Sequence, residues 1–302
     1  MYEQFFGLKE KPFSLTPDTE YFYRYSGHQE AFNVLLVALR NGEGFVRVTG
    51  EVGTGKTLLC RQILKFLEDD CATVYLPNPL LTPLELYQSI AHELQIEFSE
   101  EASVQHLHHE IFAELVVLKK NNRPVVVMID EAQAMPYRSL EAIRLLSNLE
   151  TEKEKLLHIF FFAQPEFDQR LERSNLRQLR QRITFSYQLS TLRARELSSY
   201  LNHRLRVAGF KGEDLFSSAA VKLLHCASSG VPRVINVLAH KSLMVAYGKG
   251  SRKIDRSMVV AAIRDTTDAK TSNRLQWPPS LFEFGIVALI AVMTFVVWGA
   301  LR

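Results

Sequence analysis

Gly50-Glu51-Val52-Gly53-Thr54-Gly55-Lys56-Thr57 reads G-x-x-x-x-G-K-T, the pattern of a loop that wraps phosphate. The residue types follow from the task. Glycines let the backbone approach an anion where a Cβ would clash. Successive N–H groups then face the anion, and the helix that follows adds its positive end. Residues Gly50, Glu51, Val52, Gly53, Thr54, Gly55, Lys56, Thr57 and Leu58 are therefore expected to line a nucleotide's phosphates. Lys56 would reach the β- and γ-phosphates, and Thr57 would offer its hydroxyl to Mg²⁺.

Working outward, Phe45–Thr49 before the loop is strand-like and the residues after Thr57 are helix-like. Further strands are expected at Ala72–Leu76, Pro124–Ile129, Leu157–Ala163 and Ile183–Leu189, with amphipathic helices between them. That alternation predicts an α/β fold, a parallel sheet with helices on both faces. After Leu192 the strands stop. Helices are expected near 194–207, 217–227, 232–247 and 255–265, with Gly209 and Gly230 as helix ends and caps near Asp214 and Asp255.

Val125-Val126-Val127-Met128-Ile129-Asp130-Glu131 is an apolar strand that ends in two acids, 74 residues after Lys56. Such a strand carries its carboxylates to the edge where the phosphates lie, beside the P-loop strand. Asp130 is expected to hold Mg²⁺ through water, and Glu131 to polarise the attacking water. Gln164 closes the strand Leu157–Ala163. It can sense the γ-phosphate or place the water, or simply open the turn before Pro165.

The run Leu176–Ile183 carries Arg177, Arg180 and Arg182. It suits a subunit edge, with Arg182 first and Arg180 second as an arginine finger into a neighbour's site. A solvated basic face, or a patch for nucleic acid or acidic lipid, reads the same residues differently. Gly230-Val231-Pro232-Arg233-Val234-Ile235-Asn236 opens a helix, with Pro232 in its first turn and Arg233 able to reach the triphosphate.

The chain has 302 residues, of which 47% are hydrophobic, enough for a sizeable core. A formal charge of +3 gives no electrostatic case for nucleic acid. Cys60, Cys71 and Cys226 are far apart, which fits thiols in a reducing compartment better than disulfides or zinc. His106, His108 and His109 read as a solvated helix face rather than a metal site. No secretory leader is expected at the start. Phe284–Leu301 is 18 residues without a charge, and extension to Leu281 gives 21. At 1.5 Å per residue that is about 31 Å, the thickness of a bilayer core. Trp277 and Trp298 stand near its ends, and Arg264, Lys270 and Arg274 precede it. A single-pass helix with the bulk of the chain in the cytoplasm follows from that asymmetry.

Taken together, these motifs resemble those of AAA+ ATPases of the ExeA/GspA-like group and, within it, the MshM-like members of MSHA type IV pilus biogenesis. The likeness rests on Phe6-Gly7-Leu8-Lys9-Glu10-Lys11-Pro12-Phe13, Thr16-Pro17-Asp18, Gly50–Thr57, Asp130-Glu131-Ala132-Gln133, Gln164-Pro165-Glu166, Leu179–Ile183 and Gly230–Asn236. It spans roughly residues 1–265. The resemblance implies an ASCE sheet of order 5-1-4-3-2, a small helical lid, ATP and Mg²⁺ as ligands, and a homo-oligomeric ring. It also implies a place at the inner membrane and pilus or secretion assembly proteins as partners. Arg233 takes the sensor 2 position of that group. The expected organisation is an ATPase domain over 1–191, a lid over 192–265, a linker over 266–280 and a transmembrane helix over 281–301. GspA-like members continue into a peptidoglycan-binding domain, which the single residue after Leu301 does not provide. A nucleotide-switched scaffold with slow hydrolysis, or a DNA-linked ATPase of the transposition-regulator type, keeps the fold and changes the role. The near-neutral charge and the lack of a helix-turn-helix tail count against nucleic acid as a partner.

Overall fold

In the computed structural model, the described residues are 1–99, 101–150, 154–267 and 269. Five strands form one parallel sheet: β1 (Phe45–Thr49), β2 (Ala72–Leu76), β3 (Val125–Ile129), β4 (Leu157–Ala163) and β5 (Ile183–Gln188). Their order is β2-β3-β4-β1-β5, the order the family resemblance implies. One expectation is corrected. The acid-bearing strand β3 does not lie beside the P-loop strand β1, because β4 pairs with both. β4 is buried along its whole length, as a central strand covered on both faces must be.

The helices within this sheet unit are α2 (Ser26–Arg40), α3 (Lys56–Leu67), α4 (Pro83–Glu93), α5 (Val104–Lys120), α6 (Tyr137–Leu146), α7 (Glu166–Leu171) and α8 (Arg177–Arg182), preceded by the short α1 (Tyr2–Phe6). Side chains alternate across the strands and so feed two separate cores. Val125, Val127, Ile129, Ile159 and Phe161 pack with Leu86 and Ile90 of α4, Ile111 of α5, Ile143 of α6 and Leu179 of α8. Val126, Met128, Phe160, Phe162, Val46 and Val48 pack with Leu35 of α2 and Leu59 and Ile63 of α3. The edge strand β5 instead alternates half-buried and exposed residues.

Beyond β5 come α9 (Ala194–Val207), α10 (Ser218–Ser228), α11 (Pro232–Gly248) and α12 (Arg256–Arg264). Ser217 and Asp255 cap α10 and α12, their side chains accepting from the N–H groups of Ala220 and Met258. Asp214 caps nothing and accepts from Asn202 instead. α10 ends through left-handed Ser229 and Gly230, at φ of 51° and 74°. A Cβ on Gly230 would lie 2.2 Å from the carbonyl oxygen of Leu192, so no larger residue fits.

The core of these helices contains a third party. Tyr2, Phe6, Leu8, Phe13, Tyr21 and Tyr25 are buried among Leu197, Leu201, Leu238, Leu243 and Val259. Much of the first 25 residues, assigned from the sequence to the ATPase domain, thus packs as a strap on the helical unit, while Pro17 O and Thr19 O accept from Arg61 and Gln62 of α3 (3.1 Å each). Arg204 of α9 fastens the strap. Only 5% exposed, it donates from Nε to Pro12 O (2.6 Å) and from Nη2 to Ser14 O (3.2 Å), and its guanidinium lies 4.8 Å from the Tyr21 ring centre. Lys9 N adds a bond to Ala208 O at 2.8 Å.

The expected transmembrane helix over 281–301, and nearly all of the expected linker, lie outside the described residues. Among the described residues no helix is long and apolar enough to cross a membrane.

Candidate nucleotide site

The P-loop joins β1 to α3 at the carboxyl edge of the sheet, where Gly50 N bonds to Ala163 O at the end of β4 (3.1 Å). Gly53 and Gly55 hold left-handed backbone at φ of 81° and 92°. Gly53 is also compulsory for contact: a Cβ there would come within 2.5 Å of the Cβ of Arg233. Lys56 is buried inside the loop and donates from Nζ to Gly50 O (2.7 Å) and Glu51 O (3.0 Å). Burial lowers its basicity, and Glu131 and Asp130 oppose that fall. Two acids thus keep a buried ammonium charged where an incoming phosphate would meet it.

The loop is braced from behind. Thr54 O lies 3.2 Å from Tyr25 Oη and 3.1 Å from His28 Nε2. Tyr25 Oη donates to Ser190 O at 2.8 Å, beyond the end of β5. His28 is stacked on Phe22 at 5.0 Å, and burial pushes its imidazole down to about 4, so it is neutral at pH 7.

Asp130 and Glu131 follow β3. Burial raises the Asp130 carboxyl above the usual aspartate range, against the Thr57 side chain and the Glu131 N–H, which pull it down. The Glu131 N–H donates to Asp130 Oδ1 at 2.9 Å. Thr57 and Asp130 therefore present a hydroxyl and a carboxylate side by side, the hard oxygen donors that suit Mg²⁺. Glu131 holds left-handed backbone at φ 50°, which turns its side chain away from the strand direction and into the cleft. Gln164 Nε2 donates to Glu131 Oε2 at 2.9 Å, so the strand-end glutamine and the second acid act as a pair. It does so because β4 separates β1 from β3.

The opposite wall is the helical unit. Arg233 N bonds to Gly53 O at 3.1 Å, and the Arg233 side chain is exposed along the cleft. The cleft, about 290 Å³, is lined by Gly53–Leu58, Glu131 and Arg233, together with Tyr21, Phe22 and Tyr23 of the strap.

Arg182 goes elsewhere. Its guanidinium donates to Arg144 O (3.1 Å), Ser147 Oγ (2.5 Å) and the Asn148 side chain, all at the carboxyl end of α6 of its own chain. The negative end of that helix is a natural seat for a cation. Arg180, the second choice for the finger, is exposed. His106 and His109 are exposed on α5, and no cluster of three or more metal-ligating residues occurs among the described residues.

Several residues of the site escape the sequence reading. Tyr25, His28 and Arg204 carry no local signal, since each acts on a segment at least 26 residues away. Gln133 lies within the quoted Asp-Glu-Ala-Gln motif and could have been singled out there.

A family model described as an AAA domain matches residues 39–171. The chain is 41% identical over 271 residues to general secretion pathway protein A of Aeromonas hydrophila, a match covering 88% of this chain and 49% of that protein. It thus spans about half the length of that relative. Among solved structures, the ORC2 protein of Aeropyrum pernix in its ADPNP–ADP complexes superposes with a TM-score of 0.64 at 17% identity, over 95% of this chain and 79% of that one. Drosophila ORC bound to DNA superposes at 0.60 and 18% identity, over 87% and 65%. The fold is therefore the α/β P-loop AAA+ fold with a parallel sheet. It is shared with a DNA-bound complex, so the fold gives no support to the expectation that nucleic acid is excluded.

Proposed function

We propose that this chain is an ATPase of the ExeA/GspA-like group that binds ATP with Mg²⁺ in the P-loop cleft and hydrolyses it by water attack. The observation that carries this reading is the convergence of Lys56, Thr57, Asp130, Glu131 and Gln164 at one sheet edge, from three different strand ends. Lys56 neutralises phosphate charge. Thr57 and Asp130 would hold Mg²⁺, which supplies further charge neutralisation when bound. Glu131 accepts the proton of the attacking water, and Gln164 fixes the direction of its carboxylate. Arg233 reaches the phosphates from the chain's own helical unit.

The second part of the proposal concerns place and role. The 41% identity to a general secretion pathway protein supports work in a secretion or MSHA-like type IV pilus apparatus. The uncharged run Phe284–Leu301 supports anchoring at the inner membrane, with the ATPase on the cytoplasmic side. Hydrolysis takes place in a homo-oligomeric ring, with an arginine from a neighbouring copy completing each site. Arg180 is our first assignment for it, ahead of Arg182, because Arg182 is already bound by its own α6.

Purified protein decides the chemical part. Lys56→Ala should lose nucleotide binding, whereas Glu131→Gln should bind ATP and turn over at least about a hundredfold more slowly. A wild-type rate from Glu131→Gln would remove Glu131 as the base. Mixing Lys56→Ala subunits with Arg180→Ala subunits should restore part of the ATPase if the arginine acts across an interface.

A further inference from the structure

We infer that Gln133 is a positioning residue for the hydrolytic step: its side chain orients the Glu131 carboxylate and ties it to the end of β4. The inference rests on the assignment of Glu131 as general base.

Gln133 lies in a tight 3₁₀ turn, Ala132–Ala134, that begins directly after Glu131. Its Oε1 accepts from the backbone N–H of Gln164 at 2.9 Å. A backbone N–H can only donate, so this contact fixes the amide's orientation. The Nε2 group must then face the other way, and it donates to Glu131 Oε2 at 2.5 Å. Gln164 Nε2 donates to the same oxygen at 2.9 Å. Glu131, Gln133 and Gln164 thus form a closed triangle, two sides of which are side chain to side chain and the third side chain to the Gln164 backbone. Both donors fall on Oε2, so Oε1 is the oxygen left to accept from water.

The turn itself is clamped. Arg170 of α7 donates from Nη1 to Gln133 O and from Nη2 to Met135 O, the latter at 2.7 Å. Ala134 N bonds to Glu131 O at 2.8 Å. These bonds hold Glu131 in left-handed backbone at φ 50°, a conformation that a non-glycine residue adopts only when its surroundings impose it. The charged groups that act with Glu131 in the cleft are Lys56 and Asp130.

A glutamine is the side chain this position requires. A glutamate could still accept from Gln164 N, but it would set a carboxylate against that of Glu131. A methionine of similar length could do neither.

The test is steady-state ATPase of the full chain with Mg²⁺-ATP, compared with affinity for a fluorescent ATP analogue. Gln133→Met should lower kcat by roughly 10²-fold, as misplacement of a base by about 1 Å does. KM and analogue affinity should stay within about twofold, because ground-state binding is untouched. Gln133→Glu should also lower kcat with affinity unchanged, since it replaces the donor to Glu131 Oε2 by a second carboxylate. A merely structural role predicts equal losses in kcat and affinity, and that result would overturn the inference. If Glu131→Gln is inactive while Gln133→Met keeps the wild-type kcat, Gln133 alone is refuted. If Glu131→Gln keeps the wild-type rate, the base assignment fails and Gln133 falls with it.

Discussion

The two walls of the nucleotide cleft are built in opposite ways. The strand-end wall (P-loop, Asp130, Glu131, Gln164) comes from short stretches that leave a sheet at the same edge, and adjacent strands place them. The strap wall (residues 1–25 with α9 and α11) is assembled from the two ends of the described chain and held by single contacts such as Arg204 to Pro12 O. The first wall carries the chemistry proposed for this protein, and the second decides how that chemistry is enclosed. Damage should therefore separate by wall: loss of turnover from the first, loss of stability and closure from the second.

The largest expected effect on the strap wall is Gly230→Ala. The new Cβ would meet the Leu192 carbonyl at 2.2 Å in left-handed backbone, so the α10–α11 corner must move. We expect about 4 kcal/mol of destabilisation in urea unfolding. Nucleotide affinity should fall too, because Arg233 follows that corner. A stable variant with normal affinity would show that the corner tolerates displacement and would weaken the contrast.

Next is Arg204→Met, which keeps much of the packing but strips two strap carbonyls of their donor. A loss of about 3 kcal/mol is expected, together with early proteolytic cleavage within residues 1–25. Cleavage elsewhere first would mean that the strap's remaining contacts hold it without Arg204.

His28 gives a graded version, read by pH. Unfolded, it takes a proton near 6.5; folded, near 4. The unfolded state therefore binds more protons between those values, and stability falls as pH drops through that window. The full shift corresponds to up to about 3 kcal/mol. Part of it will overlap with carboxylate titration, so the comparison is with His28→Gln, whose stability should fall less over pH 6.5 to 4. Parallel curves would exclude His28 as the sensitive group.

The smallest effects belong to the arginines outside both walls. Arg182→Ala should cost about 1–2 kcal/mol through its lost bonds to α6, and exposed Arg180→Ala within about 0.5 kcal/mol. If Arg180→Ala nonetheless removes ATPase in the assembled protein, the finger is Arg180. If only Arg182→Ala does so, after correction for stability, the original order of preference stands.

The same contrast explains what could be read from sequence. Five strands, their near-exact limits and the sheet-edge motifs were legible because each is a local pattern: β3 is five apolar residues and then two acids, and it is buried on both faces. The four later helices were legible by period and caps, apart from Asp214, whose place is taken by Ser217. The strap was not. Tyr2, Phe13 and Tyr21 pair with residues about 180 or more positions away, and aromatic residues in an irregular segment announce burial without naming a partner. The contacts of Arg182 were hidden for a related reason: its spacing suggested an edge and gave no sign of the helix end about 35 residues earlier on which it sits. Gln133 was visible but silent, since only the β3–β4 pairing brings Gln164 within its reach.

One consequence of the strap lies in the connectivity. Because much of residues 1–25 packs with the final helices, the chain passes between the two units twice, once by Tyr25 and once near Ser190. The passages touch: Tyr25 Oη donates to Ser190 O at 2.8 Å, and a Cβ on Gly27 would lie 2.6 Å from Ser190 Oγ. The helical unit is thus joined to the sheet unit by two chain passages that lie side by side, so a displacement at one of them bears directly on the other.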